Sequence, residues 1–225
     1  GTGIATAGDV RLQAGRDLSA IAANVTSEQG ALVAVAQGDV NILAGENSSN
    51  WSEGRRHKSR SLLGSSMKTT RDSLEETKAV SSTFSGNTTA VQGQNVSVTG
   101  SNVVSDADTV IVARNDLTIQ AATETTSESH FKETRKSGFL YSGGIALTIG
   151  SQINSGDRKD VSTNAAASTV GSTQGDVALV AHGHFLRILA AVFLRMAPRF
   201  GAAISLDPGC VSVLGFYREQ PAILA

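Results

Sequence analysis

Through most of the chain, apolar and polar residues alternate in short runs that are closed by Gly, Asn or Asp. One phrase recurs: a turn residue, Asp or Asn, an aliphatic, a polar residue, a second aliphatic. It stands as Gly8-Asp9-Val10-Arg11-Leu12, Arg16-Asp17-Leu18, Gly38-Asp39-Val40-Asn41-Ile42, Gln94-Asn95-Val96-Ser97-Val98 and Asn115-Asp116-Leu117-Thr118-Ile119. Alternation at period two marks a strand with one buried face, and the intervening residues supply tight-turn conformations. The lead aliphatics Val10, Leu18, Val25, Leu32 and Val40 are spaced 8, 7, 7 and 8; Val96, Val103, Val110 and Leu117 are spaced 7, 7 and 7. A helix would need 3.6-residue spacing, which these segments lack.

Three such strands make one unit, and equal units turning in one sense with small residues inside describe a right-handed parallel β-helix. Its core is a column of Val, Leu, Ile and Ala, stabilised by stacking of neighbours. The alternative is a β-sandwich, which also uses short alternating strands but does not require an unbroken beat.

A longer repeat overlies the short one. Ile42 to Ser49 echoes Ile119 to Thr126, and at a shift of 78 Glu46 meets Glu124, Lys58 meets Lys136, Ser59 meets Ser137 and Leu62 meets Leu140. Each block of coils is followed by a polar, Ser/Thr-rich excursion, about residues 46–93 and 123–173, long enough to be functional or disordered. Extended hairpins are the expected form.

These phrases, with their charged excursions, resemble the haemagglutinin repeats of filamentous haemagglutinins and of the large exoproteins of bacterial contact-dependent growth inhibition. The resemblance covers about residues 1–175. It implies a segment of a secreted, surface-exposed filament, exported by two-partner secretion and associated with the outer membrane. Such filaments serve adhesion and virulence or deliver a C-terminal toxin across a target cell's envelope. The implied partners are neighbouring repeats of the filament and a receptor or envelope on the target cell. No secretion domain or toxin is recognised in these residues.

Composition shifts near residue 175. Of the Ser and Thr residues only Ser205 and Ser212 lie beyond it; Pro198, Pro208, Pro221 and Cys210 all lie beyond it, and all six lysines lie before it. Residues 1–175 and 176–225 therefore read as separate domains, with the junction between 171 and 180. A recombined frame, a natural fusion and a designed chimera all produce such a seam. The second part opens with Val177-Ala178-Leu179-Val180, then His182-Gly183-His184. A helix over 185–196 follows, with Phe185, Ile188, Leu189, Val192 and Met196 on its apolar face, and then a strand over 211–216. The expected fold is thus mainly β, with a short α/β C-terminal segment.

That segment resembles the C-terminal part of the histidine phosphatase (phosphoglycerate mutase-like) superfamily. The resemblance makes His182 the family's second active-site histidine, a catalytic position. The family's phosphorylated nucleophile sits in an Arg-His-Gly triplet, which this sequence does not contain; Arg56-His57-Lys58 has no glycine turn after a buried strand. Without a nucleophile no phosphohistidine forms, so the chain is expected not to be an enzyme. The alternative is a phosphatase or mutase whose missing half comes from another chain. A half domain of this kind would have to dock its helix on the last coil, where repeat arrays need a cap.

The net charge of −1 gives no reason to expect nucleic acid. A single cysteine excludes an internal disulfide, and no apolar run is long enough to cross a membrane as a helix. Gly1 opens the chain with no charged-then-apolar leader, so any export signal is expected to be absent or removed. The one dense basic cluster, Arg55, Arg56, Lys58 and Arg60 beside His57, is a candidate anion patch or a solvated loop. Lys132, Arg135 and Lys136 form its counterpart. Trp51 and Tyr141 either stack on sugar rings or cover the side of the β-helix. The Gly-Gly-x-Gly-x-Asp calcium nonapeptide is missing, so no metal is expected, and no cofactor.

Overall fold

The computed structural model describes residues 1–61, 64–141 and 147–224. Leu62, and the side chains of Phe139, Leu140 and Tyr141, lie outside what it describes, and with them the Leu62/Leu140 match and the Tyr141 ring.

Strands β1 (Thr2–Thr6), β2 (Val10–Ala14), β3 (Leu18–Ile21), β4 (Ala23–Ser27), β5 (Ala31–Ala36) and β6 (Val40–Leu43) come first, followed by two long strands, β7 (Gly45–Ser61) and β8 (Gly64–Val80). Then come β9 (Thr83–Gly86), β10 (Thr88–Gly93), β11 (Val96–Thr99), β12 (Asn102–Ser105), β13 (Thr109–Ala113) and β14 (Leu117–Gln120). A second long pair, β15 (Ala122–Tyr141) and β16 (Leu147–Ala166), is followed by β17 (Thr169–Ser172) and β18 (Val177–Val180). The chain closes with α1 (Gly183–Phe193), a 3-10 helix over Pro198–Ala203, and the strands β19 (Leu214–Tyr217) and β20 (Gln220–Ile223).

The short strands stack as three parallel sheets, in the orders β1-β4-β9-β12-β17, β2-β5-β10-β13-β18 and β3-β6-β11-β14. The chain visits the three sheets in turn, which is a parallel β-helix. Like residues stack through the register: Ile4, Val25, Phe84, Val103 and Val170 form one column, and Leu18, Val40, Val96 and Leu117 another. Phe84, Leu32, Val40, Ile42, Val98, Val103 and Ile111 are fully buried. Such columns bury apolar surface only because each coil covers the one below it.

One beat is displaced. In β13 the register places Thr109 against Thr89 and Ile111 against Val91. Thr109 and Ile111 are therefore the buried residues, and Val110 faces outward. The inward Thr109 is accommodated because its hydroxyl donates to the Gly171 carbonyl at 2.7 Å, as Thr89 donates to Val104 at 2.7 Å. A seven-residue spacing of aliphatics thus mis-assigns the face of one strand.

The excursions are shorter than their composition implies. Residues 83–93 form β9 and β10, and 169–172 form β17; all three pair inside the β-helix. Ser and Thr on their outer faces hide this. What leaves the coil is 45–80 and 122–166, and within these stretches residues 46–79 and 123–165 pack together as a compact unit of their own. That unit is a four-stranded sheet in the order β16-β15-β8-β7. Its central pair is antiparallel, from Thr125 opposite Thr77 to Gly138 opposite Gly64.

The C-terminal segment begins inside the other unit. Val177–Val180 extends the second sheet by pairing with Thr109–Val112. Phe185, on the first turn of α1, packs against the β-helix core together with Leu179 and Ala181, so the helix caps the last coil. The rest of its face differs from expectation. Ala190 and Ala191 are the buried positions, while Ile188, Val192 and Met196 are exposed. The 3-10 helix lies so close that a Cβ on Gly201 would stand 3.0 Å from the Arg187 backbone, and this contact selects the small-residue face of α1. The strand expected over 211–216 runs from Leu214 to Tyr217, and it pairs antiparallel with β20. Phe193 and Phe216, with ring centroids 5.5 Å apart, tie that hairpin to α1.

Candidate functional site

Alternation along a strand sends successive side chains to opposite faces, and this divides the basic cluster of β7. Arg56, Lys58 and Arg60 share one face, with Arg56 Nε donating to Met67 Sδ at 3.0 Å. Arg55 occupies the other face, where its guanidinium bonds Glu53 at 2.5 Å. That hydrogen bond, with the charge of Glu53 behind it, raises the Arg55 pKa above its usual value. The four residues do not form a single patch.

A different set of cations is brought together on the central strands. Lys132, Thr134 and Lys136 follow one another on one face of β15, and Lys68 stands directly opposite Thr134. With Asn154, Ser155 and Gly156 of β16, the β15 residues line a shallow hollow of about 440 Å3. No ion pair to these three lysines occurs among the described residues. Lys68 and Asn154 are not legible as neighbours of Lys132 in the sequence, because only the cross-strand register joins positions so far apart in the chain.

Toward the other end of the same face the charges are paired. His130 Nδ1 lies 3.0 Å from Asp72 Oδ1, and its Nε2 lies 3.7 Å from Glu128 Oε2. The hydrogen bond to Asp72 is the main cause of an upward shift in the His130 pKa. On the opposite face Arg135 Nε holds Glu133 at 2.6 Å, and this bond lowers the Glu133 pKa and raises that of Arg135. Trp51 is exposed on β7. Each of these pairs is solvated, so each contributes little to stability.

The aspartates of the turn phrases have a role beyond turn formation. Asp9 accepts the Ala31 N–H at 2.8 Å, Asp17 that of Asp39 at 2.9 Å and Asp108 that of Asp176 at 3.0 Å. Asp39 continues the series through both the backbone and the side-chain nitrogen of Asn95, at 3.2 and 2.8 Å. Each side chain ties its own corner to the corner of the next coil. Among the described residues no group of three potential metal ligands gathers.

In the tail, His182 stands where β18 ends and α1 begins, at the N-cap position, and its side chain makes no capping bond. It is exposed and stacks on His184, with ring centroids 5.4 Å apart. His57 lies on β7, in the other compact unit.

Two families match the sequence. "Hemagglutinin repeat" covers residues 61–191, and the histidine phosphatase superfamily (branch 1) covers 161–225. Their overlap includes β17 and β18, whose Thr169–Ser172 and Val177–Val180 sit in the coil. Among curated relatives, the tRNA nuclease CdiA of Escherichia coli O6:K15:H31 (strain 536 / UPEC) is 42% identical over 121 residues, covering 52% of this chain and 4% of that protein. The 16S rRNA endonuclease CdiA of Enterobacter cloacae subsp. cloacae is 41% identical over 187 residues, 80% of this chain and 6% of its own length. The tRNA nuclease CdiA of Yersinia mollaretii is 31% identical over 215 residues, 92% of this chain and 6% of its own. The chain therefore spans only a few per cent of these relatives. An alignment covering 92% of the chain also necessarily crosses the compositional seam near residue 175. No solved structure matches. Because the repeat family covers more than half of the sequence, this chain belongs to the haemagglutinin repeat family.

Proposed function

We propose that this chain is a stretch of the shaft of a long, secreted bacterial surface filament that works in adhesion or in delivering a toxin to a target cell. The observation that carries the reading is the stacked parallel coil in a chain of the haemagglutinin repeat family. The names of the relatives support it further. Proteins named for acting on tRNA, 16S rRNA and DNA each match part of this chain, over 52%, 80% and 40% of it. Repeats found in nucleases of different kinds do not themselves select the reaction. Their shared task is then to build, display or position the part that does. Neighbouring coils of the filament are the chain's first partners, and the Lys68, Lys132 and Lys136 face is its candidate contact for anionic groups on a target envelope.

The tail is read as a phosphatase-like piece, about residues 176–225, put to structural use. His182 retains the position at a strand end, but no Arg-His-Gly strand faces it, and one histidine does not assemble a phosphoryl pocket. Its service is to cap the last coil through Phe185.

The test is an in-frame deletion of these residues from the full secreted protein. Surface labelling would measure display, and growth of neighbouring cells in co-culture would measure delivery. A protein that still reaches the surface but no longer inhibits neighbours is the expected result. Undiminished inhibition would remove the delivery role.

A further inference from the structure

The four-stranded sheet ends on both sides in long strands that nothing covers among the described residues: β7, of 17 residues, and β16, of 20. A row of unpaired N–H and C=O groups on such an edge is a template for another strand. The interior seam of the sheet shows what this edge accepts. There β8, from the first hairpin, takes β15, from the second, through fourteen opposed pairs, with the Ser65 and Ser137 hydroxyls bonded at 2.8 Å.

The two hairpins are copies of one repeat. β7 and β15 correspond in sequence through Glu46/Glu124, Lys58/Lys136 and Ser59/Ser137. They also correspond in topology, since each follows a strand of the third sheet, while β8 and β16 each lead back to a strand of the first. The free edge of β7 is therefore the counterpart of the β15 edge that β8 covers. The free edge of β16 is likewise the counterpart of the β8 edge that β15 covers. The molecule carries both halves of a contact it already makes internally.

We propose that β16 of one copy of this chain pairs antiparallel with β7 of a second copy, repeating the β8–β15 seam. The contact is heterologous, so further copies add in the same sense.

Charge disfavours the β7–β7 alternative. β7 carries Arg55, Arg56, Lys58 and Arg60 against Glu46 and Glu53, whereas β16 carries Asp157 and Asp160 against Arg158 and Lys159. Pairing β7 with β7 places two cationic runs side by side, and like charges across strands are destabilising. The balanced β16 imposes no such repulsion. The pairing stands whether or not the chain is secreted.

The test uses the whole chain in a Cys210→Ser background. Single cysteines are introduced at exposed edge positions that the repeated seam would oppose, Ser48→Cys near the start of β7 and Ser162→Cys near the end of β16, with folding checked by circular dichroism. Mild oxidation of mixed β7 and β16 variants is expected to give covalent heterodimers, and each variant alone is expected to give few. Paired prolines at Ser49 and Asn50 are expected to weaken association of the parent chain about tenfold, the loss of one or two backbone hydrogen bonds. A chain that stays monomeric at high concentration overturns the proposal. So do cross-links joining β7 only to β7, or an association that the prolines leave unchanged, which would place the contact at the ends of the β-helix.

Discussion

The Ser82 hydroxyl donates to the Leu43 carbonyl at 2.6 Å and accepts the N–H of Ala23 at 3.0 Å, joining two ends of one coil from the residue where the chain returns from the first hairpin. Ser168 repeats this after the second hairpin, donating to Gln120 at 2.6 Å and accepting from Ser101 at 3.2 Å. Leaving a coil for a long hairpin opens its corner and strands backbone polar groups there. A small side chain with both a donor and an acceptor satisfies them without occupying the core.

Ser82 is fully buried. Its replacement by Ala takes the acceptor from the part-buried Ala23 N–H and leaves the Leu43 carbonyl only the Ala22 N–H at 3.2 Å, at a cost of about 1–3 kcal/mol. Urea denaturation of Ser82→Ala followed by circular dichroism reads this cost directly. The same change at the more exposed Ser168 is expected to cost less.

Phe84 is the one aromatic among the fully buried side chains of the described residues, placed between Val25 and Val103 in its column. Phe84→Ala removes the widest plug in a core built otherwise of small aliphatics. The loss should be about 3–5 kcal/mol, whereas Phe84→Leu, which fills most of the space, should cost less than half of that. An equal loss from both would show that the column tolerates a void.

His130 should titrate above the usual imidazole value near ~6.5, because Asp72 and Glu128 favour its charged form. Its folded pKa is raised. Its contribution is therefore complete below the unfolded value and disappears as pH rises through the folded one. Proton NMR of the ring should show the high midpoint, and Asp72→Asn should bring it down. A midpoint unmoved by that substitution would break the assignment. The effect on overall stability is expected to be small, since the pair is solvated.

Phosphomonoester hydrolysis by the purified chain is expected to match that of His182→Ala. Turnover lost on that substitution would contradict a purely structural tail and require a nucleophile supplied from elsewhere.

Much of the architecture is legible in the sequence alone, because a β-helix is nearly one-dimensional. Each strand makes the same contacts with the strands above and below it, so period-two alternation and the seven-residue beat translate directly into coils. Val110 marks the limit. An aliphatic on the beat reads as inward, but direction is decided by register with Thr89 and Val91, and a buried Thr is acceptable once a carbonyl lies within reach. The ends of the excursions are obscured for a related reason: Thr83 to Gly93 is as polar as a loop on its outer face and hydrogen-bonded into the coil by its backbone.

What the sequence determined by itself is therefore whatever depends on local alternation and turn chemistry: short strands, their triplet grouping, the two polar insertions and the family. Only the tertiary structure decided which distant residues meet. It opposed Lys68 to Thr134, separated Arg55 from Arg56, and turned the turn aspartates into ties between coils. It also gave the first strand of the tail to the β-helix and buried Ala190 and Ala191 instead of the larger apolar residues of α1. Each of these outcomes is a matter of strand register or of which surface lies nearby to be covered. Both are properties of pairs of segments far apart in the chain, and no single stretch of residues encodes them.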